Sequence, residues 1–260
     1  MLLIEELAPS ELAEEWDNPG LQVGGFPGEI NRVFLSLDPT PASIERARQR
    51  GAQILFTHHP LIFRPVTRVH VGSSPGCVLH GALKNEINVV AAHTNLDAAK
   101  GGINDILADL LGIECAEVLE ENACNCRAGV GRIGLLSAPV SLADLLARIR
   151  GTLKIGKAGI VGDLDTEIRR VAVVGGSGGS FVPACRRKAA DCLVTGDVGH
   201  HHALEAKGLG MTLIDAGHYS LEQTAFRVFG ERLERLMAER GWRVRVIPDE
   251  DERDPIHWVG

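Results

Sequence analysis

The chain contains the same pattern twice, and this internal repeat constrains the fold more than any other feature of the sequence. In each copy an apolar run is followed by a charged and apolar stretch and then by a second apolar run that ends in threonine. The paired positions Arg32 and Arg170, Ala52 and Ala190, and Thr57 and Thr195 share an offset of 138 residues. A repeat of this kind predicts two related halves.

Each copy has the pattern of a βαβ unit with parallel strands and a right-handed crossover. The crossover helices are expected at Ser43–Arg50 and Pro183–Lys188, and third strands at Ile87–Ala92 and Met211–Asp215. The sequence therefore predicts an α/β protein with mostly parallel strands, in which an internal duplication gives two similar halves. We expect these halves to cover residues 1–128 and 129–260, without an inserted third domain.

Several further elements follow from local patterns. Ser141 is a plausible N-cap for a helix that begins at Leu142. A stripe of apolar residues after Glu222 predicts a long amphipathic helix, and Trp242–Pro248 predicts a final strand. The acidic tail that follows is expected to be exposed.

Composition excludes several classes of protein. The 260 residues are 45% hydrophobic and 23% charged, which is typical of a globular protein. The formal net charge of −7 opposes sequence-independent binding to nucleic acid. Residues 1–15 lack the features of a secretory signal, and no apolar run has the length of a membrane span. We therefore expect a cytoplasmic protein without a membrane or nucleic-acid partner.

The six cysteines are expected to be reduced thiols. Four of them lie among apolar or helical neighbours and are predicted to be small core residues: Cys77, Cys115, Cys185 and Cys192. Cys124 and Cys126 form the one close pair, but they lack the spacing and the second pair of a zinc knuckle.

A histidine with a carboxylate four residues later occurs at the end of the third strand in both copies. These residues are His93 with Asp97 in the first copy and His218 with Glu222 in the second. In open α/β sheets, ligands bind beyond the carboxyl ends of the strands. Both copies of the repeat therefore place a histidine and a carboxylate where a binding site is expected.

His58 and His59 follow the predicted strand Gln53–Thr57. On an extended backbone, neighbouring side chains point in opposite directions, so the two imidazoles would each serve a different ion at a shared site. Neutral imidazole is a common metal ligand. The alternative is that the two histidines are a polar strand end.

Three other motifs are weaker. Three consecutive helical residues cannot converge on one ion, so of His200–His202 only His201 is expected to line the site. The glycine-rich segment Val174–Ser180 lacks a G-x-G-x-x-G or Walker pattern, and it is either a tight turn or an anion cradle. Asp17–Gln22 is typical of a turn and by itself demands no chemistry.

The chain resembles the dinuclear-metal-centre hexameric proteins, which are also called GTP cyclohydrolase I type 2 homologs or NGG-interacting-factor-like proteins. The resemblance covers nearly the whole chain. It rests on these segments, in this order: Trp16–Val23, Thr57–Leu61, His93–Asp97, Thr195–Asp197 with His201, and Asp215–Glu222.

The resemblance implies five metal ligands, two intertwined three-layer α/β/α halves and a ring-shaped homohexamer, a trimer of dimers. The implied ligands are His58, His59, Asp97, His218 and Glu222. Five ligands cannot saturate two ions, so open positions would remain for water and substrate. The implied cofactors are two divalent cations per subunit, among Zn, Mn, Fe, Co and Ni, because a mixed imidazole and carboxylate set does not select one metal.

Two classes of function are consistent with these residues. The first is a metal-dependent hydrolase that acts on GTP, or on a phosphoester or amide, with a metal-activated water. In this hypothesis His93 and then His201 are the candidate general acid/base residues, and the substrate is a small phosphorylated compound or nucleotide. The second class is a non-enzymatic protein that binds or delivers metal, or acts as a regulatory scaffold.

Overall fold

The computed structural model describes residues 1–122 and 125–257, without the side chains of residues 125–127. The strands in chain order are β1 Gly20–Val23, β2 Arg32–Ser36, β3 Ile54–Thr57, β4 Asn88–Ala91, β5 Glu114–Asn122, β6 Asn125–Ser141, β7 Gly159–Val161, β8 Glu167–Ser177, β9 Cys192–Gly196, β10 Thr212–Asp215 and β11 Arg245–Pro248. The helices are α1 Leu2–Leu7, α2 Pro41–Gln49, α3 Gly76–Lys84, α4 Thr94–Ala98, α5 Ile103–Leu111, α6 Leu142–Leu153, α7 Val182–Arg187, α8 His200–Gly208 and α9 His218–Glu239.

The chain divides into two compact units, each built on one sheet. Unit 1 comprises residues 1–96 and 226–253, and unit 2 comprises residues 97–225 with the C-terminal residues from 254. Both units are thus discontinuous in the chain, whereas the repeat alone predicts a division between residues 128 and 129. The difference arises because β5 pairs with β6 in the second sheet, while β11 returns to pair with β2 in the first.

The sheet of unit 1 has the strand order β1-β4-β3-β2-β11. Strands β2, β3, β4 and β11 run parallel, and β1 pairs antiparallel with β4. The two crossovers of the first copy contain α2 and α3, as the sequence predicts. Thr40 begins α2 with a reciprocal cap, because its hydroxyl accepts from the Ser43 amide and the Ser43 hydroxyl accepts from the Thr40 amide.

Apolar residues cover both faces of this sheet, as expected for parallel strands between helices. On one face Phe34 and Leu55 belong to a buried cluster with Ile44 of α2 and Ala82 of α3. On the other face the ring of Phe56 lies 5.4 Å from that of Phe226, where the part of α9 that belongs to unit 1 begins. Unit 1 is therefore a three-layer α/β/α arrangement.

The sheet of unit 2 has the strand order β5-β6-β8-β9-β10-β7. Strands β8, β9 and β10 run parallel, which confirms the second copy of the repeat, and the other pairings are antiparallel. Helices α7 and α8 contribute to a buried cluster on the sheet, and α5 and α6 pack against β6 and β8. The Ser141 hydroxyl accepts from the Asp144 amide at 3.1 Å, so the predicted N-cap of α6 is confirmed.

The acidic tail is exposed only in part: Glu250, Asp251 and Arg253 are exposed as predicted, whereas Asp249 and Glu252 are not. Asp249 is buried and forms an ion pair of 2.6 Å with Arg46. The Glu252 carboxylate accepts hydrogen bonds from the amides of Leu37 and Asp38, both at 2.9 Å. Strand β11 pairs with β2 and so places the tail next to the loop after β2. The Glu252 carboxylate there accepts from two backbone amides that have no partner strand.

The cysteines follow the prediction in part. Cys185 and Cys192 are buried, and burial raises the pKa of each thiol to about 12. Cys77 is half-buried, but Cys115 is exposed, so its assignment to the core was wrong. It lies near the start of β5, on a largely exposed edge strand. Cys124 and the side chain of Cys126 lie outside the described residues.

Among the described residues, no helix has both the length and the apolar character needed to cross a membrane.

Candidate metal centre

Three histidines of unit 1 converge just beyond the ends of two parallel strands. His58 and His59 follow β3 and His93 follows β4, and one ring nitrogen of each lies within 4.8 Å of the others. The expectation that His58 and His59 point in opposite directions was wrong. Strand β3 ends at Thr57, so the alternation of an extended backbone does not continue through the two histidines.

The first of these histidines is buried. His58 Nδ1 lies 2.8 Å from the backbone carbonyl oxygen of Ala92. A carbonyl oxygen can only accept, so Nδ1 carries the proton and donates it. The lone pair of the imidazole is then on Nε2, which is the form in which histidine binds a metal.

The second histidine is oriented by a carboxylate. His59 Nδ1 donates to Asp38 Oδ1 at 2.8 Å, and Asp38 lies in the loop after β2. The tail fixes this loop, because Glu252 accepts from the Asp38 amide and from the Ser36 hydroxyl, the latter at 2.8 Å. Strand β2 and the C-terminal segment together position the partner of His59.

The third histidine is oriented by Asp17. His93 Nδ1 donates to Asp17 Oδ1 at 2.8 Å, while the Thr94 amide and hydroxyl donate to Asp17 Oδ2. Burial by itself raises the pKa of Asp17, but the hydrogen bonds from His93 and Thr94 outweigh it and lower the pKa to about 2. The segment interpreted from sequence as only a turn thus supplies a buried, ionised partner to His93.

The candidate ligand pair of unit 2 lies at the start of α9. His218 is its first residue, and Glu222 follows one turn later on the same helix face. His218 Nε2 and Glu222 Oε2 are 2.9 Å apart, and Glu222 is 3% exposed. Two ligand atoms roughly 2.1 Å from one ion would be about 3 Å apart at a right angle, so the pair has the spacing of two ligands of one cation.

His218 is also oriented by a carboxylate. Its Nδ1 donates to Asp197 Oδ2 at 2.7 Å. Asp197 follows β9 and has a φ of 52°, a left-handed conformation that aspartate tolerates better than most residues. In the first copy the matching position holds His59. The same position of the repeat therefore carries a candidate metal ligand, His59, in the first copy and the hydrogen-bond partner of His218, Asp197, in the second.

Part of the glycine-rich segment makes room for the Glu222 carboxylate. Gly176 has a φ of +63°, and a β-carbon added there would lie 2.4 Å from Glu222 Oε1. A side chain at this position would therefore be strained and would displace the carboxylate. Gly176 lies at the end of β8. The need for space beside Glu222 explains why this position of the segment is a glycine, and no bound anion is needed for that explanation.

The remaining candidates belong to neither of these groups of described residues. Asp97, in α4, belongs to no group of three potential ligands whose donor atoms lie within 4.8 Å among the described residues. His201 is exposed near the start of α8, and its ring lies 5.7 Å from that of His200. His202, in contrast, is half-buried. Its ring lies so close to Gly179 that a β-carbon added to this glycine would lie 2.4 Å from His202 Nδ1.

The donor chemistry fits divalent cations. In all four clustered histidines an oxygen acceptor lies 2.7 to 2.8 Å from Nδ1, so Nδ1 donates and Nε2 is the nitrogen that can face an ion: His58, His59, His93 and His218. At His218 a proton or a cation must lie between Nε2 and Glu222 Oε2, since two acceptors 2.9 Å apart repel each other. This outer partner is typical of histidines that bind metal, since it fixes the tautomer and the ring orientation. Sequence reasoning identified the histidines but missed the roles of Asp17, Asp38 and Asp197, although Asp197 directly follows β9 and Asp38 lies two residues after β2.

The Duf34/NIF3 (NGG1p interacting factor 3) family model matches residues 1–255 of this chain. Similar proteins include a GTP cyclohydrolase 1 type 2 homolog of Clostridium perfringens, 32% identical over 99% of this chain and 97% of that protein. A homolog of the same name from Streptomyces coelicolor is 34% identical, over 97% of this chain and 90% of that protein.

Two solved structures extend the comparison. The Bacillus cereus protein related to NIF3 is 26% identical, with a TM-score of 0.93 over 99% of this chain and 97% of that one. Reduced HcgD from Methanocaldococcus jannaschii is 32% identical, with a TM-score of 0.81 over 96% and 95% of the two chains. The match over nearly its whole length shows that the chain belongs to the Duf34/NIF3 (NGG1p interacting factor 3) family.

Proposed function

We propose that this protein is a metal-dependent hydrolase that uses two divalent cations. The proposed ligands are His58, His59, Asp97, His218 and Glu222, the set that the family resemblance implies. The observation that carries the proposal is the shared orientation of the histidines, each with an oxygen acceptor at Nδ1 that leaves Nε2 to face an ion. Histidines that only stabilise a fold do not all need an oxygen acceptor at the same ring nitrogen.

A bound divalent cation lowers the pKa of a coordinated water and polarises the group under attack. The residues of the chain hold and orient the reactants around that chemistry. Asp38 and Asp197 accept from Nδ1 of His59 and His218 and so orient the two rings, and Gly176, which has no side chain, leaves room for the Glu222 carboxylate.

His93 is the proposed general acid/base. Because its Nδ1 proton is donated to Asp17, Nε2 is the nitrogen that accepts a proton from the attacking water or returns one to the leaving group. The buried Asp17 carboxylate stabilises the imidazolium that forms in between. His201, exposed on α8, is a weaker candidate for contact with the substrate.

The substrate class is proposed from the relatives. Several are named GTP cyclohydrolase 1 type 2 homologs, so ring opening of GTP is one version of the reaction. Hydrolysis of a phosphoester or amide in another small phosphorylated compound uses the same water chemistry. The proposed assembly is the homohexamer that the resemblance implies, and light scattering should give six times the 27.9 kDa of one chain.

The proposal is tested by metal-dependent turnover. Apo-protein is loaded separately with Mn, Fe, Co, Ni or Zn and screened with GTP, model phosphoesters and amides. We expect turnover with at least one metal, and losses of about 100-fold or more in the Glu222→Ala and His58→Ala variants. His80→Ala is the matched control, because His80 is exposed on α3 and belongs to neither cluster.

Activity that survives removal of all metal would contradict the hydrolase mechanism. Tight metal binding by wild-type protein, without turnover of any substrate class, would favour the non-enzymatic alternative of metal binding or delivery. Whether two cations bind next to each other is tested separately by electron paramagnetic resonance of the Mn(II)-loaded protein. Two neighbouring ions give a spin-coupled signal, and isolated ions do not.

A further inference from the structure

Two large aromatic side chains stand exposed beside the histidine cluster of unit 1. Trp16 is 57% exposed and Phe63 is 44% exposed, and their ring centroids are 5.6 Å apart at an interplanar angle of 53°. The rings lie 6.0 Å and 6.3 Å from the imidazole of His93, which they meet edge-on. An apolar surface thus adjoins the proposed general acid/base.

The chain on both sides of these rings is held by polar contacts. Asp17, next to Trp16, is bound by His93 and Thr94. Asn18 donates its side-chain amide to the carbonyl of Ile62 at 2.7 Å, and the Ile62 amide donates to Gln22 at 3.1 Å. The segment that carries Trp16 is thereby joined to the loop that carries Phe63.

This arrangement differs from the usual placement of aromatic residues. Trp and Phe normally fix their position by burying their own rings, which is where most of their stabilisation comes from. Here hydrogen bonds of neighbouring residues hold the backbone, while the rings themselves remain in contact with water. Rings held in place before a ligand arrives lose little conformational entropy when they bind it.

The size of the surface favours a small ligand over a protein partner. One aromatic side chain buries about 150 to 250 Å² when fully covered, so two partly exposed rings offer far less than the roughly 800 Å² per partner of a stable protein interface. Because the two rings are inclined by 53°, a flat ring system can stack on one of them and contact the other with its edge. Stacking on such faces requires no particular hydrogen-bond pattern in the ligand.

We propose that Trp16 and Phe63 form an aromatic platform that binds a planar heteroaromatic ring of the substrate next to His93. The assignment rests on the proposed function in one respect, since it places the substrate of that reaction. Binding at the platform itself requires no turnover, and this separates the two proposals experimentally.

The test is equilibrium binding by calorimetry to the full-length, metal-loaded protein and to protein treated with chelator. GMP and nicotinamide mononucleotide are the heteroaromatic probes, and ribose 5-phosphate is the matched probe without the ring. We expect Trp16→Ala and Phe63→Ala each to weaken binding of a heteroaromatic probe by roughly 10- to 100-fold. Trp16→Phe keeps an aromatic face and should lose less than Trp16→Ala.

Fluorescence locates the bound ring. The chain has three tryptophans, and a ring stacked on Trp16 should quench part of their emission. This quenching should disappear in Trp16→Phe and persist in Trp242→Phe, whose substituted residue lies elsewhere in unit 1 next to Arg240. Unchanged circular dichroism spectra show that the variants remain folded.

The platform is contradicted if no heteroaromatic probe binds more tightly than ribose 5-phosphate, or if Trp16→Ala and Phe63→Ala bind these probes as tightly as wild-type protein does. Aromatic-dependent binding in a protein that hydrolyses nothing would support the platform and contradict only the hydrolase. Turnover of a substrate without any ring, unaffected by Trp16→Ala, would support the hydrolase and contradict the platform.

Discussion

The orientation of single histidines is the detail from which the proposed chemistry follows. Each clustered imidazole has an oxygen acceptor at Nδ1, and three of the four acceptors are aspartates: Asp17, Asp38 and Asp197. The histidines could be predicted because the repeat places them at strand ends. Their partners could not, because Asp17 and His93 are far apart in the sequence and only the pairing of β1 with β4 brings their segments together.

Removal of one such partner should weaken metal binding without removing a ligand. In Asp197→Ala, His218 loses the acceptor that fixes its ring and tautomer, so we expect metal affinity to fall by roughly 10- to 100-fold. Competition with a chromophoric chelator measures this change. Glu205→Ala removes an exposed carboxylate on α8 and should leave the affinity unaltered. Equal affinities in Asp197→Ala and wild type would show that the contact has no role in binding.

Asp17 should make the stability of the fold depend on pH at the acid end. Its pKa falls from an ordinary value of 3.8 to about 2, so its ionised form stabilises the folded chain fully above pH 4. This contribution, about 2 kcal/mol, is lost as the pH falls towards 2. Urea unfolding of wild type and Asp17→Asn should therefore differ most near pH 7 and converge near pH 2. A difference that is constant over this range would rule out the linkage.

Among the secondary-structure elements, the strand ends and helix starts determine where ligands lie. The repeat predicted the parallel strands β2, β3 and β4 and their counterparts β8, β9 and β10, because their apolar runs are continuous. The strand end at Thr57 was predicted as well, but the directions of the His58 and His59 side chains after it were not. Those directions depend on the path of the loop and on partners such as the Ala92 carbonyl and Asp38, which local sequence does not determine.

Gly176 at the end of β8 should be required for the position of Glu222. Gly176→Ala places a β-carbon against the carboxylate and strains a left-handed backbone, so both stability and metal affinity should fall, stability by about 1 kcal/mol or more. Gly210→Ala is the matched control, because Gly210 has a φ of +66° but no atom within 4 Å of an added β-carbon. It should lose similar stability with metal affinity intact. Parallel losses of affinity in both variants would attribute the effect to backbone strain alone.

The segment after β11 should stabilise the loop that carries Asp38. Glu252→Ala removes the acceptor of the Leu37 and Asp38 amides and of the Ser36 hydroxyl, and partly buried donors without partners cost about 1 to 3 kcal/mol. Thermal and urea unfolding should show this loss. Asp251→Ala changes an exposed side chain in the same segment and should have little effect. If the two variants are equally stable, the tail does not hold the loop.

For the whole molecule, the sequence was sufficient for the fold class and the family but not for the path of the chain between units. The periodicity of the apolar residues revealed two sheets, since each copy must bury its own strands. Residues 226–253 nevertheless belong with the first unit, because Phe226 of α9 packs on Phe56 and β11 pairs with β2. A repeat describes similarity between segments, and it does not specify which sheet a later segment joins.

The central claim is that His58, His59 and His218 bind divalent cations through Nε2. Anomalous diffraction from crystals of the metal-loaded protein tests it most directly. We predict two anomalous peaks per chain, with His58, His59 and His218 each presenting Nε2 at roughly 2.0 to 2.2 Å from a peak while Nδ1 keeps its oxygen partner. Saturating metal without a peak at these nitrogens, or coordination through Nδ1, would contradict the account.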